Sequence, residues 1–275
     1  MKIRYLGTAA AEGFPGLFCA CENCKKAWRL GGRNIRSRSQ AIVDDSLLID
    51  FPADTFMHTV RYGIDLTSIS HCLITHSHMD HLHSDDFENI HKGFSWPPKD
   101  WGGFHVYGNR EVSAILEPIA AQSDGDLISI PVDPFVPFQA GAYTVTALKA
   151  LHGTQDPYIY IISDGKSTLL YAHDTDIFPA ETWDYLKACG VKFDLVSMDC
   201  TEGSQEALPY QGHMCLGSNR RCREMLLEIG AADKNTKFVL NHFSHNGLQA
   251  CYDDFVPIAE ADGFLVSYDG MEEEC

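Results

Sequence analysis

The chain has 275 residues, with 21 Lys and Arg against 38 Asp and Glu, a formal charge of −17 and a hydrophobic share of 45%. That charge argues against binding to a nucleic acid polymer or an anionic membrane, since both affinities come from Lys and Arg. The length suffices for a large core, the hydrophobic content excludes a disordered chain, and no run of about 18 apolar residues exists to span a bilayer.

Met1 to Gly7 reads as a strand running into a turn, not as a secretion signal. Ten cysteines in so long a chain fit a reducing, cytoplasmic setting, where clustered thiols act as metal ligands more readily than as disulfide partners. Such a cluster follows at Cys19-Ala20-Cys21-Glu22-Asn23-Cys24, a C-x-C-x-x-C loop whose spacing suits one zinc ion. Residues 46–49 form a short apolar run, and residues 52–62 carry a weak helical pattern.

A second apolar run, 72–75, leads directly into His76-Ser77-His78-Met79-Asp80-His81. In this H-x-H-x-D-H arrangement, His76 and His78 lie two apart on extended backbone and reach one cation. After the turn, Asp80 and His81 reach a second. Nitrogen and oxygen ligands without thiolate suit catalytic Zn, Mn or Fe rather than a purely structural zinc. The Pro-, Gly- and aromatic-rich stretch at 94–103 is excluded from helix interior and central strand; it reads as a surface loop and, more sharply, as a wall on the substrate side.

A weak helix is expected over 111–121 and strands over 143–148, 158–162 and 168–172. The first of these strands leads to His152 and the last to His173 and Asp174. A helix over 179–188 is closed by Gly190, and a strand over 194–198 runs into Asp199. Ser218 can cap a helix that Gly230 ends. The last strands, 237–240 and 264–266, place Asn241 and His242 after the former. Many strands with interspersed helices indicate a layered α/β protein, not a purely parallel sheet. Several strands end in a potential ligand, which lines one sheet edge with polar groups on rigid supports. Together these ends give His76, His78 and His152 to one metal and Asp80, His81 and His242 to another, with Asp174 between. Asp199 is a candidate for orienting a ligand histidine.

In that order, His76 to His81, His152, Asp174 and His242 resemble the metallo-β-lactamase superfamily of dinuclear hydrolases over nearly the whole chain, from about Leu6 to Gly270. The resemblance implies a four-layer αββα sandwich, one domain over 1–275 with its zinc-binding cysteine loop at about 19–24. The metals lie at one edge of the two sheets. Cys19, Cys21 and Cys24 need a fourth ligand, and His245, three residues past His242, supplies one.

The cysteine loop, Met198-Asp199-Cys200, the isolated His213, Asn241-His242-Phe243-Ser244-His245 and Asp269-Gly270-Met271 resemble more narrowly the cyclic phosphodiesterases of the carbon–phosphorus lyase pathway. This implies two divalent ions, Mn, Zn or Fe, one structural zinc, and a role in phosphonate metabolism. The substrate would be a small anionic phosphodiester such as a phosphoribosyl cyclic phosphate, attacked by a metal-bridging hydroxide. Asp80 and His213 are the catalytic residues, with His213 as general acid, and a homodimer is expected. Residues 83–86 and 207–212 have no counterpart, which leaves the substrate open. Two alternatives stand beside this reading: a superfamily protein of the pyrroloquinoline-quinone biosynthesis type and a non-catalytic metal-binding protein. A transfer-RNA 3′-end nuclease shares the first motif, but this chain lacks a basic, Gly-rich arm to hold RNA.

Overall fold

The computed structural model describes residues 1–275. Alternation along its strands sorts side chains between two faces. In β1 (Lys2–Gly7), Ile3 and Tyr5 face one hydrophobic cluster and Leu6 another. β2 (Gln40–Val43) and β3 (Leu47–Ile49) behave alike, and β3 pairs in parallel with β4 (His71–Leu73). β5 (Phe104–Gly108), β6 (Leu127–Pro131) and the terminal β14 (Glu272–Glu274) complete a seven-stranded sheet in the order β14-β1-β2-β3-β4-β5-β6.

The second seven-stranded sheet runs β13-β12-β11-β10-β9-β8-β7. Its strands are β7 (Pro137–Ala140), β8 (Tyr143–Lys149), β9 (Tyr158–Ser163), β10 (Thr168–Ala172), β11 (Leu195–Asp199), β12 (Lys237–Asn241) and β13 (Leu265–Val266). Tyr160, Ile162, Leu169 and Tyr171 join Tyr5, Leu47 and Ile49 in the core between the sheets. Their alternates Ile161, Leu170 and Ala172 turn outward.

Helices cover both outer faces. On the first sheet lie α2 (Thr55–Tyr62) and α3 (Arg110–Ala120), the latter burying Val112, Leu116 and Ile119. On the second lie α4 (Ala180–Cys189), α5 (Leu216–Glu228) and α6 (Tyr252–Ala261), which bury Trp183, Leu186, Cys222, Leu226 and Phe255. The architecture is therefore the expected four-layer αββα sandwich. No helix is long and apolar enough to cross a membrane.

Two local expectations change. The cysteine segment is not all loop: α1 (Glu22–Leu30) starts inside it, with Cys21 as its cap accepting the Cys24 N–H. Ser218 does not open α5; Cys215 does, and Ser218 reaches back to the Cys215 N–H from the third helical position.

Parallel pairing of β10, β11 and β12 aligns Ala172, Met198 and Leu240, so the segments that follow emerge at one edge. β3 and β4 run in parallel in the other sheet, and Asp50 and Thr75 follow them. Asp50, Asp174 and His242, each just past a strand, have φ of 65°, 57° and 63°. A left-handed turn costs non-glycine residues energy, and three of them lie at the same place in the fold.

Candidate metal centre

The expected ligands converge in two sets that share Asp174. His76, His78, His152 and Asp174 form one, and Asp80, His81, Asp174 and His242 the other, with the donor atoms of each set within 4.8 Å of one another. Asp174 Oδ2 lies 3.1 Å from His76 Nε2, 3.1 Å from His81 Nε2 and 3.4 Å from His152 Nε2. His78 presents Nδ1 instead, 3.0 Å from His76 Nε2 and 3.2 Å from His152 Nε2.

The other ring nitrogens fix which atom faces inward. His81 Nδ1 meets Asp50 Oδ2 at 2.8 Å, His152 Nδ1 meets the Gly212 carbonyl at 3.0 Å, and His242 Nδ1 meets Thr201 Oγ1 at 2.9 Å. A ring that donates from Nδ1 keeps the Nε2 lone pair for a cation. The inward atoms His81 Nε2, His242 Nε2 and Asp174 Oδ1 are buried without a hydrogen-bond partner. Buried orphan donors and acceptors are rare, and lone pairs converging on carboxylate oxygens fit divalent metal ligation.

The electrostatics agree. Burial acts to raise the Asp174 carboxyl, but His242, His76 and His81 outweigh it and hold it well below the usual carboxylate range. Burial, with His81 beside it, lowers His76 to about 4, so that it stays a neutral donor. Burial would lower His81 too, yet Asp80, Asp50 and Asp174 override it and raise it well above an ordinary histidine. The carboxylates call for positive charge at this point, which a divalent cation supplies as well as a proton does.

The cysteine loop builds a third set. Cys19, Cys21, Cys24 and His245 bring their donor atoms within 4.8 Å of one another. Cys19 Sγ and Cys21 Sγ each lie 3.6 Å from His245 Nδ1. A tetrahedral zinc with bonds of about 2.3 Å to sulfur and about 2.0–2.1 Å to nitrogen sets its S and N ligands about 3.6 Å apart. The Gly16 N–H donates to Cys24 Sγ at 3.2 Å, and a side chain at Gly16 would meet the His245 ring at 2.4 Å. Asn23 ties α1 to the facing segment by donating to the carbonyls of His245 and Gly247 at 2.8 and 3.1 Å.

Both sets that share Asp174 open onto a cleft of about 300 Å³, also lined by His213, Thr201, Glu12, Glu202, Ser244 and Asn246. His213 Nδ1 lies 3.2 Å from Asp199 Oδ2 and 3.1 Å from Asp174 Oδ1. Burial opposes its protonation, but Asp199 and then Asp174 outweigh it and lift His213 to about 9. Asp199 is fully buried and anchored by the N–H groups of Thr201 at 3.0 Å, Met214 at 2.9 Å and Asp174 at 3.1 Å. It thus orients His213 and the Asp174 turn; His242 Nδ1 is farther from it, at 3.5 Å.

Some readings move. Trp96, Pro97 and Trp101 of the 94–103 stretch line a separate apolar cavity with Phe51, Phe87 and Phe104, and none lines the metal cleft. His58, His71, His83, His91, His105 and His173 join none of the donor sets. His173 instead links β10 to β11 and β12 through Ser197 Oγ at 2.6 Å and Asn241 Nδ2 at 3.0 Å. Asp50 carries no strong mark in the sequence. Its only mark there is its place after a short apolar run, and its partners His81 and Thr75 are 25 or more residues away.

Three comparisons bear on this geometry. The β-lactamase superfamily domain model matches residues 47–243, a span that holds both sets sharing Asp174 and leaves out the cysteine loop and His245. A search of the curated proteins finds no match. Among solved structures, zinc-bound PqqB from Methylobacterium extorquens aligns over all of both chains with a TM-score of 0.77 and 17% identity. A diphosphatase from the PhnP family aligns over 99% of this chain and 97% of its own, with a TM-score of 0.73 and 19% identity. The metallo-β-lactamase fold protein YhfI from Bacillus subtilis aligns over 100% and 99%, with a TM-score of 0.72 and 18% identity. At such identities these likenesses show the fold. The match over most of the chain, with His and Asp sets gathered at the sheet edge, makes this protein a member of the β-lactamase superfamily domain family, with the metallo-β-lactamase fold.

Proposed function

We propose that the protein is a dinuclear metal-dependent phosphodiesterase acting on a small or cyclic phosphodiester, with a structural zinc in its cysteine site. The observation that carries this reading is the pair of donor sets sharing Asp174 beneath a cleft that His213 also lines. Two Mn or Zn ions, or Fe in their place, supply Lewis acidity toward phosphoryl oxygens and make water nucleophilic near neutral pH.

The chain's own groups do the rest. Asp174 and Asp80 hold negative charge at the floor of the site, and the Nδ1 contacts of His81, His152 and His242 keep their Nε2 atoms aimed inward. Asp199 holds His213 by Nδ1, which leaves Nε2 as the atom that passes a proton to the departing oxygen. The fold likeness to a PhnP-family diphosphatase is consistent with phosphate chemistry. A cytoplasmic setting, read from the cysteine usage, a homodimer, read from the resemblance and the commonness of two-fold assemblies, and a place in phosphonate metabolism, read from the motif resemblance, are further parts of the proposal.

The test loads purified protein with Mn or Zn in turn and assays linear and cyclic phosphodiesters, with esters and lactones as controls. Turnover of phosphodiesters that falls sharply in His213→Ala, at unchanged metal content, supports the reading. Full turnover in His213→Ala rejects its role. No hydrolysis with all three sites filled would favour a metal-binding protein without catalysis.

A further inference from the structure

The cleft wall beyond the donor sets and His213 contains no Lys or Arg; its charged residues are Glu12 and Glu202. Neither has a cationic Lys or Arg partner. Glu12 Oε1 accepts from the Ser244 hydroxyl and lies 3.5 Å from Asn246 Nδ2 and 3.5 Å from His245 Nε2. All three contacts use Oε1, so Oε2 is left to accept from a ligand. Glu202 accepts from the Gln205 amide at 3.3 Å through Oε2 and also meets the Tyr210 hydroxyl. The two carboxylates belong to segments about 190 residues apart in sequence, and both line the cleft.

A wall of this kind does not suit a polyanion. A site built for a second phosphate gathers Arg, Lys or a helix N-terminus, whereas this one offers two carboxylate acceptors whose nearby positive groups are histidines, with no Lys or Arg lining the cleft. Carboxylates accept hydrogen bonds from neighbouring hydroxyls, as those of a sugar diol, and repel an added phosphate in a partly dehydrated cleft.

Resting on the phosphodiesterase reading, we propose that Glu12 and Glu202 set specificity: the protein takes phosphodiesters whose only negative charge is the scissile group and whose leaving side is a neutral, hydroxyl-bearing sugar. A phosphoribosyl cyclic phosphate, with its second phosphate, is then a poor substrate. Selection arises by rejecting the competitor as well as by binding the substrate.

The experiment uses the full-length protein loaded with Mn. A nucleoside cyclic phosphate with a free primary hydroxyl is compared with its counterpart phosphorylated at that hydroxyl, for turnover. The ring-opened monophosphate and bisphosphate are compared by calorimetric titration, for binding. The member of each pair that lacks the second phosphate is expected to be favoured at least about tenfold, in KM and in Kd rather than in kcat. Glu12→Gln with Glu202→Gln narrows both ratios to within about threefold at unchanged metal content, each single variant falling between. Equal or reversed preference, or ratios that the double variant does not move, overturn the proposal. If binding selectivity appears and responds to the variants while no diester is hydrolysed, the phosphodiesterase reading fails and the specificity assignment stands.

Discussion

Asp50→Asn isolates what a buried carboxylate does for the metal centre. Asparagine has the same shape and tolerates the left-handed φ of 65° at this position, so the backbone is not disturbed. The native carboxylate is fully buried and accepts from Thr75 N–H at 2.8 Å, Thr75 Oγ1 at 2.9 Å and His81 Nδ1 at 2.8 Å. One oxygen serves Thr75 and the other His81, and an amide has only one oxygen. Turned toward Thr75, it sets an NH2 group against His81 Nδ1. That ring must then carry its proton on Nε2, the atom needed for a cation. Turned toward His81, it leaves the Thr75 N–H facing a donor. Leaving one buried donor unsatisfied costs about 1–3 kcal/mol, and loss of a partner that orients a ligand histidine costs about 10–100-fold in metal affinity. Chelator competition should show weakened binding at one of the two cleft positions, and denaturation of the metal-free protein should show the loss of stability. Competition curves and denaturation midpoints identical to wild type would refute the argument that Asp50 fixes the His81 tautomer.

Further outcomes follow from other parts of the molecule. Cys21→Ser should lower the melting temperature and remove one zinc while both cleft ions remain, by elemental analysis; an unchanged melting temperature would count against a structural site. His58 is fully buried between Gln40 Oε1 at 2.6 Å and Ser37 Oγ at 2.7 Å, and burial lowers it to about 4. Its unfolded value is about 6.5, so the neutral form stabilises the fold above that pH and the contribution is lost as pH falls toward 4; this amounts to about 2 kcal/mol between pH 7.5 and 5. His58→Gln should show a shallower fall in stability over that interval, and equal slopes for variant and wild type would contradict it. Asp174→Ala removes the residue common to both cleft sets and should lose both ions while keeping the one at Cys19, Cys21, Cys24 and His245.

Much of the centre was legible because its ligands are local or follow strands. His76 to His81 lie within six positions, and His152, Asp174 and His242 each follow an apolar run. Strand ends are readable from hydrophobic patterning, and the fold aligns them through the parallel pairing of β10, β11 and β12. Groups that act on these ligands from elsewhere in the chain were not legible. Asp50 reaches His81 across the first sheet, and Glu12 reaches the cleft because Ser244 holds it from the far end of the sequence. Among elements, α1 carries little sequence signal because it buries little beyond Cys24 and Ala27, its remaining positions being mostly charged or exposed. β6 is half exposed and ends in a proline, so neither alternation nor composition marks it as a strand.

The central claim is that phosphodiester hydrolysis depends on the two donor sets that share Asp174. Titrating metal-stripped protein with Mn while following turnover of bis(p-nitrophenyl) phosphate tests it most directly. Activity should rise as both cleft positions fill, and Asp174→Ala should show no rise at any Mn concentration. Full turnover in the stripped protein, or an unchanged titration in Asp174→Ala, would contradict it.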